Sequence, residues 1–371
     1  MFFDGHLLTA QGWVHGKWAL TPVISPVDMI PSGARRLRGW ATPGLVDVHC
    51  HIGVGHGASV LAHDEQRKQL VTALKLGVSL LRDCGSPADT SWVRSDASLP
   101  ILLRCGRHIA RPKRYIRGLA REVDNVNDLP SVAVEELLRG DGWVKLVGDW
   151  IDRSAGSDAD LVPLWPPSVL AEAVAAVHER GGRVAVHAFS HRVIDDLIEA
   201  GVDNIEHASG MDHDQIAEAR ARGVAVSVTM LQRELFGEFA QQAKEKYPKY
   251  AATMLGLFEK RYEQARLLFE SGITVLPASD TGGYQEVGSI FQELQAWADL
   301  GFAPFEILNR ATVGARRYLN VNAGFVGGNA DLMIFSQRPD ECVETMFKPQ
   351  YVCRGGVVVA SMGENLGNRG D

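Results

Sequence analysis

The chain has 371 residues, 46% hydrophobic and 22% charged, a composition that can bury a large core and argues against wholesale disorder. Acidic residues outnumber basic ones by 45 to 38, and the net charge of -7 lacks the basic footprint of a nucleic-acid-binding protein. The length exceeds one ordinary domain but suits an α/β barrel of about 250 residues with a smaller module attached.

The N-terminus, Met1 to His6, has no basic stretch, and Asp4 interrupts its apolar run at once, so no signal peptide is expected. No apolar run approaches the roughly 20 residues needed to span a bilayer. Five scattered cysteines do not form a disulfide framework. Cys50, Cys84 and Cys105 fall in or beside apolar runs and are expected as buried thiols, which points to a reducing cytoplasm. Residues 1–40 hold short, turn-separated apolar stretches such as Trp18–Leu20 and Val23-Ile24, and read as β-rich.

From Leu45 to about Leu319, strand-like and helix-like segments alternate. Eight continuous apolar runs read as parallel strands covered on both faces: Leu45–Val48, Val78–Leu81, Pro100–Leu103, Trp143–Val147, Arg183–Val186, Asp203–Ile205, Val224–Val228 and Ile273–Leu276. Amphipathic stretches lie between them, including Glu65–Leu76, Ser168–Arg180, Arg192–Ala200 and Gln215–Arg222. Gly77, Gly181, Gly201, Gly223 and Gly272 stand where helices should stop. The repeat predicts an α/β fold, a (β/α)8 TIM barrel. An open doubly wound sheet is disfavoured: no Gly-x-Gly-x-x-Gly follows the first strand, and polar residues recur at many strand ends. Residues 234–270 form a longer helical excursion, either a cover over the barrel mouth, a partner surface or a solvated hairpin. Residues 331–360 return to a β pattern. The two ends are therefore expected to pair into a small β-sandwich domain, residues 1–41 plus 321–371, flanking a barrel at 42–320.

The polar residues follow the strands. His49 and His51 end the first, Lys145 sits within the fourth, His187 ends the fifth, Glu206-His207 the sixth and Ser279-Asp280 the eighth. All lie in or at the C-terminal end of a predicted strand, the face where barrel enzymes hold their chemistry. Residues two apart on a strand share a face, so His49 and His51 can grip one metal ion. Singly, His187 or His207 reads as a satisfied core histidine, Asp280 as a helix N-cap, and Lys145 as a side chain snorkelling to solvent. Together they read as a metal site.

The chain resembles the metal-dependent amidohydrolase superfamily. The resemblance is carried by Thr42-Pro43-Gly44-Leu45-Val46-Asp47-Val48-His49-Cys50-His51, Val186-His187-Ala188, Ala200-Gly201-Val202-Asp203-Asn204-Ile205-Glu206-His207, Leu276-Pro277-Ala278-Ser279-Asp280-Thr281, Ala311-Thr312 and Gly327-Gly328-Asn329-Ala330-Asp331-Leu332. It covers nearly the whole chain and is nearest the imidazolonepropionase-like and Xaa-Pro dipeptidase (prolidase)-like branch. The resemblance implies one metal held by His49, His51 and Asp280, and a second held by His187 and His207. It implies that CO2 converts Lys145 into a carbamate bridging both, and that the two divalent ions are zinc. A metal-bridging hydroxide would then hydrolyse an amide or peptide-like C–N bond of a small molecule, a dipeptide or N-acyl amino acid. Asp280 would be the catalytic residue, moving the water's proton to the leaving nitrogen. A homo-oligomer is compatible with the resemblance; a nucleic-acid or membrane partner is not expected.

Substrate contacts are expected from the basic segment after strand three, with His108, Arg114 or Tyr115 meeting a carboxylate, and from Tyr284 as a pocket wall. A solvated basic loop is the plain alternative for that segment. Two departures from dipeptidase relatives stand out: Phe189 replaces a tyrosine two residues after His187, and Gly327-Gly328-Asn329 replaces a Gly-Lys pair. The alternatives are a cyclic amide, lactam or xenobiotic amide hydrolase, then a heterocycle deaminase, and last a non-enzymatic scaffold. The deaminase reading is disfavoured because no glutamate follows strand five closely, and the scaffold because all six ligand positions are filled.

Overall fold

Eight parallel strands surround the centre of the protein: Leu45–Cys50, Val78–Asp83, Ile101–Arg104, Trp143–Val147, Arg183–Ala188, Asn204–His207, Ala225–Val228 and Val275–Pro277. The computed structural model describes residues 1–361; the last ten residues of the 321–371 segment lie outside the described residues. Alternate side chains serve two cores. Val46, Val48, Leu80, Trp143, Ala185, Ala225 and Leu276 fill the barrel interior. Leu45, Leu81, Val144, Val184, Ile205, Val226 and Val275 pack outward against the helices. Each strand is therefore apolar on both faces, which is why the runs read as continuous.

Strands one to three form one ladder and strands four to eight another. The first gap closes at the C-terminal face: the Asp280 amide donates to His49 O at 2.8 Å, and the His51 amide donates to Thr281 O at 2.6 Å. The second is bridged by a short strand, Ile109–Ala110, whose Ile109 stands opposite Leu146, and by the Asp141 amide donating to Arg104 O at 2.7 Å. A fold with helices between successive strands and this closure is a (β/α)8 barrel. Gly77, Gly181, Gly201, Gly223 and Gly272 all take positive φ, from 72° to 99°, just past the helix ends. That conformation is costly for a residue with a Cβ, so glycine stops each helix.

Both ends of the described chain contribute to one seven-stranded mixed sheet. Its order is Val357–Ser361, Tyr351–Arg354, Leu332–Phe335, Arg36–Pro43, Phe2–Thr9, Gly12–Thr21 and Val23–Pro26. The curled sheet encloses its own core, where Phe3, Leu7, Trp18 and Leu20 meet Leu332, Ile334 and Cys353. Its strand Arg36–Pro43 runs almost directly into the first barrel strand, with only Gly44 between them.

The excursion after strand seven contains helices Phe236–Ala243 and Pro248–Glu259, with Arg261–Glu270 leading into strand eight. Phe236 is fully buried in a cluster with Leu161, Phe189, Ala240 and Met254. The Tyr250 amide donates to Ala159 O at 3.0 Å. This pair of helices is thus anchored over the barrel mouth, not a solvated hairpin. No helix among the described residues is long and apolar enough to cross a membrane.

Candidate metal centre

A β-bulge turns the first pair of histidines inward. Asp47 stands opposite Leu81, but Cys50 stands opposite Asp83, so three steps on strand one match two on strand two. With simple alternation, Val46 and Val48 inside would leave His49 outside. The extra residue switches the face, as bulges do near functional sites. Buried Asp47 supports the distortion: its carboxylate accepts from the His49 amide at 3.2 Å and from the Ser279 amide at 3.0 Å.

The surroundings fix which nitrogen carries the hydrogen in two of the imidazoles. His51 Nδ1 lies 2.7 Å from Gly85 O, a pure acceptor, so Nδ1 carries the hydrogen. His49 Nδ1 lies 2.9 Å from Glu206 Oε2, and the same argument holds. Both residues thereby aim Nε2 lone pairs inward. These two nitrogens meet one oxygen of Asp280, at 3.2 Å for His49 and 3.4 Å for His51. Acceptors converging on an acceptor repel unless a proton or a cation stands among them.

His207 adds a third imidazole. Its Nδ1 is 2.7 Å from Thr229 Oγ1, and its ligand atom lies with those of His49 and Asp280 within 4.8 Å of one another. His187 is buried with neither ring nitrogen hydrogen-bonded among the described residues, and its ring centroid is 4.7 Å from that of His207. A buried polar group without a partner is costly, and a metal ligand resolves the cost. The donor set, four imidazoles and a carboxylate, suits a borderline divalent metal.

The backbone is strained at the same place. His207, Ala208 and Asp280 have φ of 65°, 50° and 55°, each costing on the order of 1 kcal/mol. Buried Arg233 donates to His207 O at 2.6 Å, and Gln264 donates to Ala208 O at 2.8 Å, which holds the turn. No helix starts at Asp280; the next, Ile290–Asp299, begins ten residues later, so Asp280 is not an N-cap.

Lys145 does not snorkel. It is 2% exposed, with Nζ 3.5 Å from His49 Nε2 and 3.8 Å from Glu206 Oε1. Beneath it, Glu206 Oε1 receives Arg82 Nη2 at 2.6 Å, while Arg82 Nε donates to Val48 O at 2.7 Å and the guanidinium lies 4.3 Å over the Trp143 ring. Burial works to raise the Glu206 carboxyl, but Lys145, His49 and Arg82 outweigh it and hold it well below the usual range. Burial likewise opposes ionisation of Asp280, yet His49, His51 and Lys145 lower it. Burial, reinforced by neighbouring cationic groups, pushes His187 and His207 well down, which keeps them neutral as donors.

Above these groups opens a cleft of about 520 Å³. His51, His187, His207 and Asp280 reach it, as do Tyr115, Trp150, Phe189, Phe239 and Tyr284. Tyr115 and Tyr284 are thus brought to the cleft. His108 sits deeper: buried at 1% exposure, it points Nδ1 at Gly85 O, 3.2 Å away, and stacks edge-on to His51 and Tyr115. Arg114 is not brought to the cleft. It pairs with Asp152 at 2.5 Å beside a separate surface depression shared with Arg111. From the same basic segment Lys113 reaches the cleft, and Arg117 follows it.

Arg82 escapes a reading of the sequence, because a charged residue in a short apolar run resembles a strand end; Glu206 is legible as a strand-end residue but not as a partner of His49. Arg153 and Trp150 escape it too, since only tertiary folding decides which loop side chains face inward. The aromatic content of the 234–270 excursion is the one sequence signal that points towards this wall.

The Amidohydrolase family profile matches residues 40–359. An uncharacterised protein of Mycobacterium tuberculosis is 40% identical over 347 residues, covering 93% of this chain and 91% of that one. Among solved structures, a Xaa-Pro dipeptidase with bound methionine in its active site aligns at a TM-score of 0.79 with 18% identity, covering 96% of this chain and 98% of that one. An ochratoxinase of A. niger aligns at 0.81 with 18% identity, covering 98% and 96%.

Proposed function

The chain belongs to the amidohydrolase family and is a hydrolase acting on carbon–nitrogen bonds, and we propose that it uses two divalent metal ions to cleave the amide or peptide-like bond of a dipeptide or N-acyl amino acid. The observation that carries this reading is the convergence of His49 and His51 Nε2 on Asp280, with His207 alongside and His187, whose ring nitrogens make no hydrogen bond among the described residues and lie no nearer than 3.8 Å to the Asp149 carboxylate.

His49, His51 and Asp280 would hold one ion, and His187 and His207 the other. Lys145, carboxylated by CO2, would serve both. That modification replaces a buried ammonium with an anion beside two cations, which fits its position 3.5 Å from His49 Nε2. Zinc is the ion best suited to so many imidazoles. When bound, the metals lower the pKa of water and polarise the amide carbonyl. Asp280 accepts the water's proton and returns it to the departing nitrogen, with its position fixed by the hydrogen bond its backbone amide donates to His49 O. Thr229, Gly85 and Glu206 hold three of the imidazoles in the orientation the ligands require. The Xaa-Pro dipeptidase and ochratoxinase that share the fold support hydrolysis of small molecules over other substrates. Five free cysteines support a reducing, cytoplasmic setting.

The test combines elemental analysis of enzyme grown with zinc and bicarbonate with a screen of dipeptides, N-acyl amino acids and cyclic amides. Ammonia release is followed in parallel. Two metals per chain and amide cleavage are expected, and Asp280→Asn should retain metal while kcat falls about 10²- to 10⁴-fold. Near-normal turnover by that variant would remove Asp280 from its role. Ammonia from a heterocycle without amide cleavage would replace the reading with deamination.

A further inference from the structure

An arc of aromatic rings runs from the ligand histidines to the rim of the cleft. Trp150 and Phe189 flank His187, at centroid distances of 5.6 and 4.3 Å. Phe189 also lies 4.9 Å from His207, so the ring that touches both His187 and His207 carries no hydroxyl, whereas Tyr115 reaches His187 alone, at 5.8 Å. From Phe189 the contacts continue through Phe236 at 4.8 Å to Phe239 at 6.4 Å, and on to Tyr284 at 5.7 Å. Tyr284, 58% exposed, ends the arc at the rim of the cleft. The volume, about 520 Å³, lies within the range of pockets that enclose drug-sized ligands.

The charges at the rim are unequal. Lys113, Arg117 and Arg153 line the cleft against a single carboxylate, Glu122, apart from Asp280 at the floor. Glu122 is already engaged by the Lys113 amide at 3.0 Å. None of the three cationic side chains makes an ion pair among the described residues, whereas Arg114 in the same loop is paired. A guanidinium left free at the mouth of an apolar cleft suits a carboxylate.

Resting on the hydrolase reading above, we propose that the substrate is an aromatic amide with a free carboxylate, such as an N-acyl aromatic amino acid. Its ring lies against Phe189, Phe239 and Tyr284, and Arg153 meets its carboxylate. Burial of a benzyl group and its contact with the neighbouring rings both favour an aromatic side chain. This cleft would therefore rank substrates by their ring.

The experiment compares metal-replete enzyme on N-acetyl derivatives of phenylalanine, leucine and alanine, each as the free acid and as the carboxamide. The expected kcat/KM for the phenylalanine acid exceeds that of the alanine acid at least 30-fold, and the leucine acid falls between them. Phe239→Leu should narrow the phenylalanine-to-alanine ratio several-fold. Arg153→Gln should raise KM for the acids about 10-fold and leave the acid-to-carboxamide ratio near one. Tryptophan fluorescence, with Trp150→Phe as the control that assigns the signal among the eight tryptophans, provides a reading independent of turnover: phenylalanine should quench the Trp150 component at lower concentration than alanine, in wild type more than in Phe239→Leu. Equal rates on all side chains, or no preference for acids, would overturn the substrate class while amide hydrolysis stands. Failure to cleave any amide, with phenylalanine still quenching Trp150 selectively, would overturn the hydrolase reading and keep the aromatic site.

Discussion

Beneath the clustered imidazoles, Glu206 does two jobs with one carboxylate. One oxygen faces His49 Nδ1 at 2.9 Å and sets the tautomer; the other neutralises Arg82, which is fully buried. Removing the charge by Glu206→Gln leaves Arg82 in the barrel interior without its counter-ion. The expected loss is about 3–5 kcal/mol of stability, read by chemical denaturation. Metal affinity should fall roughly 10- to 100-fold in a competition titration, because His49 loses its orienting partner. A variant with wild-type stability and affinity would rule out both jobs. Sequence reasoning sees Glu206 only as the neighbour of His207, since adjacent strand residues face opposite sides. Both face inward here because His207 has left the strand conformation, with φ of 65°. Nothing in the residue types announces that reversal, nor the bulge that turns His49.

At the scale of elements, Phe236 is the largest fully buried side chain that anchors the cover over the mouth. Phe236 packs against Phe189 and Met254, while the rest of helix Phe236–Ala243 is largely amphipathic. Phe236→Ala is expected to cost about 3–5 kcal/mol locally, enough to open the cover ahead of the barrel. Limited proteolysis should then cut faster between residues 236 and 259, with KM rising more than kcat falls; an unchanged cleavage pattern would contradict this. The barrel strands are legible in the sequence because burial on both faces makes them continuous apolar runs. The cover's placement is not, for amphipathic helices of this length fit a solvated hairpin equally well. Ile109–Ala110, which helps close the barrel, is too short for any periodicity.

Across the whole molecule, several carboxyls are buried beneath the histidine cluster or away from it. Glu293 accepts from the Met230 and Leu231 amides and from Trp297 Nε1, and burial still pushes its pKa up to about 7. A raised folded pKa means that the folded state holds this proton more tightly than the unfolded chain. Its stabilising contribution is complete below pH 4.5 and disappears as pH rises through 7. The amount is on the order of 3 kcal/mol. Glu293→Gln should therefore flatten the dependence of Tm on pH between 4.5 and 7, relative to wild type. Parallel curves for the two proteins would show that Glu293 does not titrate in that window.

The sheet built from both ends of the described chain constrains the order of events during synthesis. Residues 2–43 emerge first, yet the edge of strand Arg36–Pro43 is completed only by Leu332–Phe335. A ribosome must translate nearly 300 further residues before that partner exists. Throughout that interval, Phe3, Leu7 and Trp18 lack the Leu332, Ile334 and Cys353 side chains that bury them. The barrel can close while its flanking sheet still presents an open, apolar edge. A stop codon before residue 332 is thus expected to yield aggregating chains in place of a shortened active barrel, and sedimentation of nascent-length fragments would reveal it.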